Sequence, residues 1–136
     1  MQPPVPAANP DSRPYWEAAR ERRLLIRHCS SCGTNHFMPR HLCPQCWSDQ
    51  LDWLESAGTG SVYSFSIVHR APTPDFATRA PYVIAMVELD EGPRMFANII
   101  GNDALSVSIG ERVKVAFEDR GAGALMPQFR RATRMA

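Results

Sequence analysis

The sequence predicts a mainly β protein in three successive parts: a short N-terminal helix, a four-cysteine zinc ribbon and a small closed barrel of five or six strands. Three observations carry this. The four cysteines of the chain form two C-x2-C hooks ten residues apart, Cys29-Ser-Ser-Cys32 and Cys43-Pro-Gln-Cys46. From Leu51 onward, apolar residues recur with a period of two. Gly and Pro clusters interrupt that alternation at short intervals, as turns between strands do.

Residues 1–10 are Pro-rich and carry no hydrophobic pattern, which predicts an extended arm. Asp11 or Ser12 can cap a helix with Pro14 in its first turn; Tyr15, Trp16, Ala18, Ala19 and Arg20 to Arg23 continue it. Trp16, Ala19 and Arg23 then share one face. So short a helix needs a surface to pack on, and the first part spans 1–23. Residues 24–28 read as a strand feeding the first hook and 36–38 as its return, making 24–50 the ribbon. Phe37, Met38, Leu42 and Trp47 are expected to form a miniature core too small to fold without metal. The barrel, 51–136, is expected to use strands at 51–55, 61–68, 82–89, 94–100, 112–118 and 126–130. Gly58-Thr59-Gly60 signals a bend or bulge, Asp90-Glu91-Gly92-Pro93 a hairpin turn, and Gly121-Ala122-Gly123 a flexible turn. Residues 70–81 carry three prolines and cannot extend a central strand.

A C-x2-C hook on a tight turn aims two sulfurs at one point, and two hooks complete the tetrahedron of thiolates that zinc takes. Gly33 after the first hook tolerates positive φ, and Pro44 presets φ inside the second. Trp47 stands where a small residue often follows a hook, so that knuckle is expected to distort or to lay its indole over the site. Two disulfides would suit a secreted chain, but no secretion signal is visible; a redox C-x2-C pair needs only one hook. Cys29, Cys32, Cys43 and Cys46 are therefore expected to hold one structural Zn2+ per chain, closed to water and substrate. His28, His36 and His41 flank the hooks and are expected around the site or at the surface, not on the metal.

The 136 residues are 44% hydrophobic and 21% charged with a formal charge of +1, which offers no global attraction to polyanions. No segment reaches the ~18 apolar residues of a membrane span, and the opening residues lack a basic stretch followed by an apolar one. The expected location is the cytoplasm, away from membranes.

In order, the run from Leu24 to Cys29-x-x-Cys32-Gly33, then Phe37-Met38-Pro39-Arg40, Cys43-Pro44-x-Cys46, Gly58-x-Gly60-x-Val62-Tyr63-Ser64, Pro81-Tyr82-Val83, Leu89-Asp90-Glu91-Gly92 and Ile109-Gly110-x-x-Val113, resembles the zinc-ribbon/OB-fold family that accompanies thiolase-like enzymes. The likeness covers about residues 12–130. It implies an N-terminal helical segment, a rubredoxin-like zinc ribbon and a C-terminal OB-fold barrel. It also implies a role: such members are subunits or fused domains beside thiolase-superfamily proteins. These include lipid-transfer-protein-like aldolases that shorten steroid side chains as CoA thioesters, and some acyltransferases.

The residues offer no catalytic chemistry of their own. There is no nucleophile elbow, no His with an evident carboxylate to orient it, and no Gly-rich phosphate loop. His69-Arg70 reads as a solvated strand end and Asp90-Glu91 as residues that keep a hairpin soluble. The expected function is a non-catalytic zinc-binding subunit of a hetero-oligomeric, thiolase-type complex acting on acyl-CoA thioesters, with retro-aldol cleavage ahead of acyl transfer. Holding an acyl-CoA takes a few cations beside an apolar channel. Arg20, Arg22, Arg23, Arg27 and Arg40 are candidates for its phosphates, against pairing with Glu17 and Glu21. Tyr15 and Trp16 are candidates for docking a partner, and Phe76 for lining an interface or substrate channel. The alternative is a single-stranded nucleic-acid module in which Tyr63 and Phe65 stack bases. Ile67 continues that face, which favours a buried wall, and residues 56–119 hold eight acids against five Lys or Arg. A tail bearing Arg120, Arg130, Arg131 and Arg134 supports only weak, salt-sensitive binding, so nucleic acid is not the expected partner.

Overall fold

The computed structural model describes residues 6–132 other than 38, 72 and 122. The first five residues of the expected arm, Met38 of the expected ribbon core and Arg134 of the basic tail lie outside the described residues.

Asn9 and Ser12 set the start of helix α1 (Arg13–Arg20): the Ser12 N–H donates to Asn9 Oδ1 at 2.8 Å and the Asn9 N–H to Ser12 Oγ at 3.0 Å. Tyr15, Ala18 and Ala19 form its buried face. The helix stops before the expected Arg23. Arg22 turns left-handed at φ 61, its N–H donates to the Ala19 carbonyl, and the Arg23 N–H donates to the Ala18 carbonyl, each at 2.9 Å. This pair of bonds satisfies the last carbonyls of a helix and ends it. Arg23 is therefore past the helix and exposed, and it does not share a helical face with Trp16 and Ala19.

Three strands follow as a small sheet in the order β2-β1-β3: β1 (Leu25–Cys29), β2 (Asn35–His36) and β3 (Leu51–Glu55). Here the expected boundary at residue 51 moves. β3 pairs antiparallel with β1 from Leu25↔Glu55 to Cys29↔Leu51, so it completes the ribbon instead of opening the barrel. Its alternation suits either sheet, and only the partner strand decides between them.

The other five strands close a barrel in the order β4-β5-β6-β8-β7: β4 (Thr59–Val68), β5 (Tyr82–Leu89), β6 (Arg94–Ile100), β7 (Arg112–Gly121) and β8 (Ala124–Arg131). Neighbours are antiparallel except β6 and β8. This is the five-stranded Greek-key barrel of an OB-fold. Gly60 lies where β4 is shared between β5 and β7; a Cβ there would collide with the Glu88 carbonyl. The pairing slips from Val62↔Val87 to Ser64↔Met86, making Tyr63 a bulge. The bulge changes which face is inside: Val62 points inward before it, Phe65 and Ile67 pack against the core after it, and Tyr63 is left half exposed under Arg94. Tyr63 and Phe65 thus do not form the base-stacking pair their spacing suggests.

The interior is closely filled, with Val83, Ala85, Val87, Val113 and Phe129 at 0% exposure. Tyr15, Leu24 and Ile26 belong to the same cluster, and Phe37 packs on it. The ribbon therefore leans on the barrel core and, among the described residues, has no separate one. Trp47, at 76% exposure, contributes nothing to it, contrary to expectation.

The acids of the 90–93 turn are structural. Asp90 accepts two bonds from Arg112 at 2.8 and 2.7 Å, and these hold its carboxyl down at about 2. Glu91 accepts from the Ser56 hydroxyl at 2.8 Å and the Ala57 N–H at 2.9 Å, while Asn35 Nδ2 donates to its carbonyl at 3.0 Å. Hairpin, linker and ribbon are thereby tied at one residue. Among the described residues, no helix is long and apolar enough to cross a membrane.

Candidate metal centre and docking face

The two hooks have the same backbone. Gly33 and Trp47 donate their N–H groups to the carbonyls of Cys29 and Cys43 at 2.8 and 2.9 Å. Cys29 and Cys43 in turn donate to the carbonyls of Thr34 and Ser48 at 2.9 and 2.8 Å. Gly33 has φ 79 and Trp47 φ 68, so Trp47 adopts the left-handed conformation natural to glycine at about 1 kcal/mol of backbone cost. The second knuckle is consequently undistorted, and its indole points to solvent instead of covering the sulfurs.

The four Sγ atoms lie within 4.8 Å of one another, with Cys29–Cys46 at 3.6 Å and Cys32–Cys43 at 3.7 Å. Thiolates about 2.3 Å from one zinc stand roughly 3.8 Å apart, whereas a disulfide needs about 2.0 Å. The donor set fits zinc and not two disulfides. Thr34, through its hydroxyl 3.2 Å away and its backbone, lowers the Cys32 thiol to about 6. The Ser48 N–H pulls Cys46 the same way, but desolvation and the neighbouring sulfurs outweigh it and push that thiol up to about 12. Four sulfurs this close shed all their protons only around a cation. None of the flanking histidines joins them: His28 Nδ1 is 2.7 Å from Asn35 Oδ1, His36 is buried beside the core, and His41 lies 3.7 Å from Asp11.

The other candidate residues are dispersed. Arg20 is exposed on the last turn of α1. Arg23 is bound to Glu21 and Glu55, and Arg27 lies over the Trp53 ring at 4.2 Å with burial lowering its pKa. Phe76 sits in a short 3₁₀ helix (Pro74–Arg79) against Tyr82, and Arg79 anchors that helix to Glu118 at 2.6 Å. Tyr15 is a correction: at 5% exposure it is core, edge-on to Trp16 and Phe37, and not an exposed docking residue.

Trp16 and Arg40 do come together, in a groove of about 500 Å³ between α1, the ribbon and the barrel, which Phe37, Phe96, Met126 and Pro127 also line. A second hollow of about 390 Å³ shares Asp11 and Arg40 and continues to Leu42, Pro44 and Trp47. Phe96 is 67% exposed. Its place was legible, since between the inward Met95 and Ala97 it falls on the outer face of β6, where a polar residue is usual.

Two family models match in tandem: "ChsH2, rubredoxin-like zinc ribbon domain" over residues 16–52 and "ChsH2, C-terminal OB-fold domain" over 53–118. A solved structure described as "Ltp2-ChsH2(DUF35) aldolase" contains a chain 40% identical with a TM-score of 0.82, covering 94% of this chain and 99% of that one. A "DUF35 domain-containing scaffold protein" of Methanocaldococcus jannaschii is 40% identical over 104 residues, 75% of this chain and 73% of that protein. A "probable enoyl-CoA hydratase alpha subunit" of Thermomonospora curvata is 40% identical over 129 residues, 95% of this chain. The chain spans 40% of that relative's length. The "benzoylsuccinyl-CoA thiolase subunit BbsA" of Geobacter metallireducens is 33% identical over 73 residues, 54% of this chain and 47% of that protein. Cys29, Cys32, Cys43 and Cys46 are accordingly the ligands of a rubredoxin-like structural zinc site. With ribbon and barrel matched in sequence and shape, the chain belongs to the ChsH2-type DUF35 family of zinc-ribbon/OB-fold proteins.

Proposed function

We propose that this protein is a scaffold subunit of a thiolase-type complex acting on acyl-CoA thioesters, with retro-aldol cleavage as the reaction and the catalytic residues on the partner. The observation that carries the reading is the likeness to the ChsH2 chain of an aldolase, at 40% identity across 99% of that chain. Relatives named as a scaffold protein and as a thiolase subunit support the same class.

The groove supplies a docking face. Phe96 and Trp47 stand exposed on barrel and ribbon, with Arg40 between the two hollows. Tryptophan, other large aromatics and arginine dominate binding energy when a partner desolvates them. Backbone strain at Trp47 fits a side chain kept for contact, since glycine would satisfy the knuckle.

The test is reconstitution with a thiolase-like protein from the same organism. Thioester cleavage by the mixture should exceed that of either component, and Trp47→Ala and Phe96→Ala should each weaken association by about thirtyfold, the scale of a hot spot. Zinc content should stay unchanged in both variants. A partner that is fully active alone and that this chain neither binds nor accelerates would rule the reading out.

A further inference from the structure

We propose that a separate cleft, between the C-terminal turn of α1 and strands β7 and β8, is an anion site that takes a phosphate or diphosphate group. The cleft encloses about 480 Å³ and is lined by Arg22, Arg23, Lys114 and Arg130, with Glu55 its one carboxylate among the described residues. Arg23 already engages Glu55, at 3.3 Å. Arg22, Lys114 and Arg130 make no ion pair among the described residues. Elsewhere on the barrel the pattern is the opposite. Arg79, Arg94, Arg112, Arg120 and Arg131 each hold a carboxylate.

Two features of the cleft work against the fold by itself. Arg22 has φ 61 at the position after a helix where glycine is usual. Lys114 and Arg130 are direct partners across β7 and β8, and like charges facing each other on a sheet repel. A chain of net charge +1 has thus set Arg22 and Lys114 on one cleft without an ion pair, with Arg130 at its edge and the Arg130 Nη1 turned to Gly101, on the side of the Asp103 carboxylate. An anion between them removes the repulsion, and guanidinium and ammonium donors match phosphate oxygens. Arg22 and Lys114, with Arg23 beside them and Arg130 at the edge, suit a group with two or more negative charges, as phosphate esters and diphosphates have and a lone carboxylate has not. Arg22 and Arg23 are among the arginines the sequence offers for phosphates, but Lys114 and Arg130 stand too far along the chain for any pattern to join them to that pair. The inference needs no partner protein and stands apart from the scaffold reading.

Calorimetric titration of the zinc-loaded full chain with inorganic pyrophosphate at low salt tests it. Lys114→Gln and Arg22→Gly should each weaken binding about tenfold, the scale of one charge-assisted hydrogen bond. Arg70→Gln removes the same charge from an exposed arginine outside the cleft and should change nothing. Arg22→Gly relieves the backbone at that position, so its melting temperature should hold or rise and the loss of binding cannot be unfolding. Lys114 is the only lysine in the sequence, so labelling of its ε-amine by trinitrobenzenesulfonate, read by peptide mapping, should slow in pyrophosphate. Adenosine 3′,5′-bisphosphate serves as a second probe: tighter binding than pyrophosphate identifies a nucleotide source, equal binding a free phosphate, and both support the site. No binding at millimolar pyrophosphate, an equal loss in Arg70→Gln, or shielding of Lys114 by a protein partner but not by pyrophosphate would overturn it.

Discussion

The ribbon hooks and the barrel are held together by opposite means. The barrel closes its hydrogen-bond ladder on itself and fills the interior with side chains such as Val83, Val87, Val113 and Phe129 at 0% exposure. In the hooks, β2 is two residues long and two of the four sulfurs are exposed. A segment this short cannot bury enough apolar surface to hold its conformation, and a metal takes the place of the core. The dividing line does not fall between the two family domains. Leu24 and Ile26 of the ribbon belong to the barrel's apolar cluster, so β1 and β3 are supported by packing and only the hooks by metal.

The largest effect should therefore come from the metal and stay local. Zinc binding in small zinc-finger peptides is worth about 10–16 kcal/mol, as large as the whole stability of a typical domain. Cys43→Ser should reduce zinc from about one per chain to near zero by elemental analysis. Hydrogen exchange should then show residues 29–50 unprotected while the barrel amides stay protected. Collapse of the barrel together with the hooks would show that the two regions are one metal-dependent unit.

Phe129→Ala attacks the other side. Removing a fully buried phenylalanine should cost about 3–5 kcal/mol. Because Leu24 and Ile26 share its cluster, β1 and β3 should unfold with the barrel in a single denaturant transition followed by circular dichroism. Zinc content below that transition should be unchanged. A separate, earlier ribbon transition would mean that the shared core couples the two regions weakly.

What was legible in the sequence follows the range of the interaction. The hooks could be read because four ligands and their glycine lie within a few residues, and the barrel strands because alternation is local. The partner of β3 could not, since Trp53 and Leu51 alternate equally well against β1 or a barrel strand. The helix end escaped because Arg22 takes a conformation that normally announces itself as glycine. At Trp47 the unusual residue is visible in the sequence, but not that it takes the glycine conformation and leaves the knuckle intact. The bulge at Tyr63 depends on which residue of β5 faces it, so spacing along β4 alone suggested a pair on one face. In the sequence Glu91 reads as a turn residue that keeps a hairpin soluble, and only the return of residues 56–57 to it reveals its bonds.

Glu91 also offers the smallest and most discriminating perturbation. Its carboxylate takes the Ser56 hydroxyl and the Ala57 N–H, the linker that leaves β3 for β4, and its carbonyl takes Asn35 from beside the first hook. Glu91→Ala removes the two carboxylate bonds but touches neither a sulfur nor the barrel interior. A charge-assisted hydrogen bond contributes about 1.5–3 kcal/mol, and partial solvent access puts the expected total cost near 2 kcal/mol. If the two regions communicate through this joint, exchange protection should fall at residues 35 and 56–58 and then at the hooks, with β5 and β7 little changed. Zinc should remain bound, because the four thiolates are intact, but should be lost to a chelator faster than in the parent protein. If the variant loses stability uniformly and releases zinc at the parental rate, the shared core of Leu24 and Ile26, and not the Glu91 joint, carries the coupling between ribbon and barrel.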